Sequence, residues 1–143
     1  MDFESTFSPF RISASALEAE RQRMRVIANN LANANVTRTP GGEPYCKRDV
    51  VFQSLVEREA ATGQDDGLGG VRVARVARST APFRTVFRPG HPDADEDGMV
   101  LMPNVEPVTE MVDMITASRS YQANLAVLKT FKEMMLQTLR LGR

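Results

Sequence analysis

The chain has one cysteine, Cys46, one histidine, His91, and no tryptophan among its 143 residues. One thiol excludes an internal disulfide and a cysteine-rich zinc site. Patterns for the common nucleophilic, phosphate-binding and dinucleotide-binding sites, G-x-S-x-G, the P-loop and G-x-G-x-x-G, are absent too. Net charge is missing as well: 18 basic residues balance 18 acidic ones. A neutral chain offers no electrostatic footprint for nucleic acid or for an anionic membrane. No run approaches the roughly 18 apolar residues that a membrane-spanning helix needs. Residues 1–5 lack the charged start and apolar stretch of a secretory leader, so no cleaved signal is expected. What is present is ordinary for a globular chain, 42% hydrophobic and 25% charged. The length suits one modest domain or two small pieces.

Apolar spacing predicts a helix at each end. The first covers residues 9–36, with Ser8 as its cap and Pro9 in its first turn. Leu17, Met24 and Leu31 recur every seven residues, and Ala14, Ala28 and Asn35 fill the intervening offsets. That is the repeat of one helical face, broken only by Arg21. The proline and glycines of residues 37–42 end it. The second helix covers residues 105–141, with Asn104 as its cap. Tyr121, Leu125, Leu128, Met135 and Leu139 share a face. Ala117, Val127, Phe131 and Met134 widen it into a broad stripe. Acids come early (Glu106, Glu110, Asp113) and bases late (Lys129, Lys132, Arg140), an order that complements the helix dipole. At about 1.5 Å per residue this helix is on the order of 54 Å long, and the first is shorter.

The middle, residues 37–103, reads as a small β-rich insert between two helical ends, 1–36 and 104–143. Strands are expected at 49–56, at the alternating run 71–76, and near 83–88. The glycine-rich segment 62–70 reads as a flexible loop. A Pro/Gly/Asp-rich bend at 89–98 precedes the short apolar run 99–102. The fold expected is therefore mainly α, with long terminal helices pairing as an antiparallel coiled-coil-like hairpin around a β-rich middle.

The most site-like constellation is the run of acids at residues 93–97 followed by Gly98. It matches the opening of a calcium loop, but the closing position is Asn104 where a bidentate Glu belongs, and Pro89 to Pro92 cannot form an entering helix. The simpler reading is an acidic turn whose Asp side chains bond their own backbone. His91, between Gly90 and Pro92, reads as a turn residue, and Cys46 as an isolated thiol. No catalytic, cofactor or metal residue is expected.

Two features point to helix contacts instead. Asn29, Asn30, Asn33 and Asn35 crowd the end of the first helix although Asn is a poor helix former. With Ile27 and Leu31 continuing the apolar face beside them, they read as polar contacts that fix helix register. The stripe of the second helix is also wider than the two apolar positions in seven that a two-stranded seam needs. The surplus row has no cover from a single partner helix.

The run from Ile12 to Thr37, with Ala28-Asn29-Asn30-Leu31-Ala32-Asn33 at its centre, resembles the N-terminal signature of flagellar rod and hook proteins. Tyr121 to Thr130, with Leu139 to Leu141, is similar to their C-terminal signature. Pro89-Gly90-His91-Pro92 and the segment 102–111 resemble proximal-rod members of that family. The likeness covers the chain except for about residues 57–71, where the glycine-rich loop departs from the pattern.

The resemblance implies a structural subunit that is exported by the flagellar type III apparatus without signal cleavage. Such a subunit assembles helically in the periplasmic space into the hollow shaft of the basal body, encloses the export channel and transmits torque. Its implied partners are other copies of itself, FlgB and the distal-rod proteins, a FliE-type adaptor and the inner-membrane ring. Nucleic acid, membrane insertion and small-molecule substrates are not implied. On this basis Leu17, Met24, Ile27, Leu31, Tyr121, Leu125, Leu128 and Met135 are expected in the helix pair. Val127, Phe131 and Met134 are expected to face other subunits, with Asn30, Asn33 and Asn124 adding polar contacts. The alternative is a soluble coiled-coil adaptor or export chaperone that forms a discrete small oligomer.

Overall fold

A computed structural model describes residues 3–58 and 65–141. Helix α1 spans Phe3–Ala32 and helix α2 spans Pro107–Leu141. Strands β1 (Arg48–Arg58) and β2 (Asp65–Arg78) form one antiparallel pair, and β3 (Arg84–Phe87) and β4 (Met99–Met102) form another. Two long helices and a small antiparallel β region are thus what the sequence predicts.

The helix boundaries differ from expectation. Ser8 and Pro9 lie inside α1 and do not cap it. Proline costs the helix one backbone bond there, but its φ is already helical. At the other end α1 stops at Ala32, before the expected proline and glycines. The Asn-rich tail tightens into turns: Asn33 N–H is shared between the Asn29 and Asn30 carbonyls, and Val36 N–H reaches Asn33. Shortened bonds of this kind close an α-helix. In α2, Pro107 takes the first helical position, and Glu110 N–H bonds the Glu106 carbonyl at 3.0 Å. Asn104 is not the cap. Its Oδ1 accepts from Lys47 N–H at 2.7 Å, and its Nδ2 donates to the Ala81 carbonyl at 2.8 Å. The helices are 30 and 35 residues long, nearer in length than the sequence indicates.

Residues 65–70, expected as loop, are strand. They extend β2 so that Leu55 pairs with Gly70 and Arg58 with Asp65. The rest of the expected loop, residues 62–64, lies outside the described residues. The register slips between Val51 and Phe52 and again on either side of Val56, so the hairpin is irregular. Its glycines carry it past α1. Gly70 has φ +126°, and a Cβ there would collide with Ser15 Oγ. That hydroxyl accepts from Val71 N–H at 3.1 Å and donates to the Ile12 carbonyl at 2.7 Å.

The helices pack against each other running in opposite directions. The Phe10 and Phe131 rings lie 6.1 Å apart, Arg23 meets Asp113 at 3.4 Å, and Asn30 meets Glu110 at 3.0 Å. Moving up α1 moves down α2. Ala19 of α1 and Ala117 of α2 are both buried. The apolar core is thin. Its fully buried members include Val100, Val105 and Ala117, with Ile27, Ala34 and Met102 nearly so. Ile27 and Ala117 lie on the helix pair, Val100 and Met102 on β4, and Ala34 and Val105 in the segments after α1 and before α2.

Candidate assembly surfaces

The most enclosed polar groups among the described residues sit where the end of α1 meets the start of α2 and of β1. Asn30 and Glu110 are each 1% exposed. Asn30 Nδ2 donates to the Arg48 carbonyl at 2.8 Å and to Glu110 Oε2 at 3.0 Å. Its Oδ1 accepts from Arg48 N–H and from the Tyr45 hydroxyl, both at 3.0 Å. Two donors and two lone pairs are thereby used in full. Lys47 Nζ lies 2.8 Å from Glu110 Oε1 and 3.6 Å from Asp49. Burial works against the Lys47 charge, but hydrogen bonding and attraction from Glu110, helped by Asp49, hold its pKa above the ordinary amine value. Partial burial itself raises the Tyr45 phenol, with Arg48 opposing it. Through this cluster one side chain of α1 ties down both α2 and the first residue of β1. Asn30 is therefore a joint within the chain, between α1, α2 and β1.

The other predicted contact residues divide by exposure. Ile27 is buried, while Leu17, Met24, Tyr121, Leu128 and Met135 are half-buried. Leu31 and Leu125, expected in the helix pair, are each 37% exposed. Leu31 belongs to the last turn of α1, where the pair is ending. Phe131, expected to face other subunits, packs its ring on Phe10 of α1. Asn33 and Asn124 are turned onto their own chain: Asn33 Nδ2 donates to the Asn29 carbonyl at 2.7 Å, and Asn124 Nδ2 to Ser120 at 2.9 Å. Val127 and Met134 stand about half exposed.

Sequence reasoning missed one apolar row. Val108, Met111, Val112 and Ile115 are all exposed on the first turns of α2. Their spacing of three, four and seven is a helical face in its own right. Attention to the longer stripe further along the helix hid it. Glu110 and Asp113 lie on the opposite side, against α1.

The acidic bend is organised by its own backbone. Asp95 Oδ1 accepts from Met99 N–H at 2.7 Å and from Asp97 N–H at 3.1 Å. Asp93 accepts from the Thr37 hydroxyl at 2.7 Å and lies 3.7 Å from Arg38. It thus pins the bend to the segment after α1. Gly98, at φ +75°, lies so close to Phe87 and Pro89 that a Cβ would press on both. Among the described residues no group of three His, Cys, Asp or Glu side chains could hold a metal ion, and no helix is long and apolar enough to cross a membrane.

Comparison with known proteins places both ends of the chain. A family model described as flagella basal body rod protein matches residues 10–38. A second, described as flagellar basal body rod FlgEFG protein C-terminal, matches residues 96–141. The flagellar basal-body rod protein FlgC of Salmonella typhimurium is 52% identical, over 94% of this chain and 96% of its own length. FlgC of Borreliella burgdorferi is 40% identical over 93% of this chain and 95% of its own. FlgC of Bacillus subtilis is 36% identical over 97% and 99%.

Proposed function

The chain belongs to the family of flagellar basal-body rod proteins, and from that premise we propose that it is a subunit of the proximal rod, with no enzymatic role. It assembles helically with other copies into the hollow shaft that transmits torque and encloses the export channel. FlgB, the distal-rod proteins, a FliE-type adaptor and the inner-membrane ring are its neighbours at the ends of that layer. It reaches the periplasmic space by flagellar export without losing a leader. Nothing among the relatives supports the adaptor or chaperone alternative.

The observation that carries this reading is the imbalance between a thin core and a large exposed apolar surface on α2. Val127, Met134, Leu136 and Leu139 are 46–69% exposed at its far end. A chain that worked alone would bury side chains of this size. Contacts of one surface with a different surface of the next copy do not close, and they grow into helical assemblies. In this reading α1 and α2 pair as a coiled-coil-like hairpin that lines the shaft, and the β region lies further out. Phe131 belongs to the hairpin, and Val127 and Met134 meet the neighbouring subunit.

The test is imaging of basal bodies purified from cells that carry a tagged copy as their only source of the chain. Density for the tag in the rod supports the reading. Tag confined to the cytoplasm or to the hook would overturn it.

A further inference from the structure

The neutral total of the chain hides a segregated distribution of charge. Residues 67–92 hold five arginines and no acid, and residues 93–113 hold seven acids and no base. Three of those acids are engaged within the chain: Asp93 by Arg38, Glu110 by Lys47 and Asp113 by Arg23. Asp95, Glu96, Asp97 and Glu106 are exposed and form no ion pair among the described residues. The five arginines are exposed too, and among the described residues none of them is in an ion pair. The two blocks adjoin in sequence and leave each other's charge unanswered.

One pair of arginines stands against electrostatic preference. Arg78 of β2 lies directly opposite Arg48 of β1 in the register, and both are exposed. Like charges directly opposite destabilise an antiparallel pair. Such a placement becomes favourable when a carboxylate lies between the two guanidinium groups, which match it in shape and in donors. The hairpin packs on α1 and not on β3 or β4. The nearest acid in sequence, Asp49, is 3.6 Å from Lys47. A carboxylate for the arginine pair has to come from outside the molecule.

We propose that the Arg48–Arg78 pair at the open end of the β1–β2 hairpin receives the acidic turn, Asp95 to Asp97, of a second copy of this chain. The inference rests on the rod-subunit reading and adds to it a surface and its occupant. Charge complementarity selects the occupant. An acidic surface of another protein answers the arginines but leaves the carboxylates of the turn exposed. A second copy answers both at once, in a chain whose charges sum to zero. The turn is also fixed beforehand, because Asp95 Oδ1 holds the Asp97 and Met99 N–H groups, so little backbone order is lost on docking. The contact joins two different surfaces. Each copy gives its turn to one neighbour and receives a turn from another, and the series does not close. Ion pairs of this kind set partner and register more than affinity.

The test exchanges the charges in cells that carry the variant as their only copy. Arg48→Glu with Arg78→Glu, and separately Glu96→Arg with Asp97→Arg, set like charges across the contact. Each pair of changes should cut the swim-ring diameter to about half or less. All four changes together reverse the contact without abolishing it, and the diameter should return to that of the unmodified chain. Normal swimming with either pair alone overturns the contact. So does a loss that the four changes together do not restore, because the arginines then meet an acid of another protein or serve folding alone. A second measurement leaves every charge in place. A photoreactive benzophenone side chain at exposed Thr80, beside Arg78, is activated in purified basal bodies. The expected product is a ladder of multiples of the chain whose linked peptide maps to residues 93–99. Label in the basal body without a link, a link to another protein or a link elsewhere on the chain overturns the contact and leaves the rod reading intact. Absence of the unmodified chain from the basal body removes the rod reading and this inference together.

Discussion

Replacing Asn30 by Ala removes four hydrogen bonds from a site that is 1% exposed. Three of those bonds run to neutral partners and contribute about 1 kcal/mol each, and the fourth, to the Glu110 carboxylate, about 2 kcal/mol. A sum near 5 kcal/mol is an upper bound. The Tyr45 hydroxyl, on a half-buried ring, can turn to water, and the Arg48 peptide remains in a strand. A loss of about 3–4 kcal/mol is expected, a large share of the roughly 5–15 kcal/mol that holds a domain together. Urea unfolding followed by far-ultraviolet circular dichroism measures it. With a slope near 2 kcal/mol/M the midpoint should fall by about 1.5–2 M. Asn30→Asp keeps the shape, loses both donors and sets a second carboxylate beside Glu110. It should be at least as damaging at neutral pH and recover in part as the new carboxyl protonates in acid. Asn33→Ala is the control. Its amide bonds only its own helix, so the change should stay within about 0.5 kcal/mol. An Asn30→Ala loss below 1 kcal/mol, or one equal to that of Asn33→Ala, refutes the idea that this amide joins the helices to the β region.

Gly70→Ala should cost about 2 kcal/mol or more, because Ala is strained at φ +126° and its methyl meets Ser15; urea unfolding against Gly41→Ala, where a Cβ has only ordinary contact, checks it. Alkali should unfold the protein early. Lys47 and Tyr45 both titrate higher in the folded chain than in the unfolded one, so their contribution is complete below about pH 10 and is lost as pH rises through their folded values; a melting temperature that holds steady well above pH 10 contradicts this. Asp95→Ala removes the carboxylate that accepts from two backbone N–H groups of the bend and should cost about 1 kcal/mol by thermal melting. Met134→Asp should leave thermal stability unchanged and abolish swimming, and a motile strain with intact rods would show that this side chain faces solvent.

The two helices were legible because they repeat at helical spacing over many turns, and the β region because Val71, Val73 and Val76 recur in an alternating run. The ends were not. Helix α1 ends in bifurcated bonds among asparagines, which no breaker residue announces. Residues 65–70 carry the glycines of a loop, yet glycine is there to let a strand pass close to Ser15. Glu110 fits the dipole argument so well as an exposed first-turn acid that its burial against Asn30 and Lys47 is invisible until the chain is folded. Asn30 stood out for the right reason, a poor helix former on an apolar face, but spacing alone does not say whether its partner belongs to the same chain. Phe131 was expected to face other subunits because the wide stripe has two edges, and only the Phe10 ring shows that Phe131 also touches α1.

The Asn30–Glu110 joint also sets how motion is distributed. It anchors the helix pair at one end, beside the start of β1, whereas toward the other end the described contact between the two helices is the tilted one of Phe10 with Phe131. Opening must therefore begin at the Phe10 end and run toward Asn30, as a zip does from its free end. Amide hydrogen exchange along α2 should be slowest around Glu110 to Ala117 and quicken toward Leu139. A subunit made this way arrives with one half already shaped and the other free to be fitted by whatever it lands on.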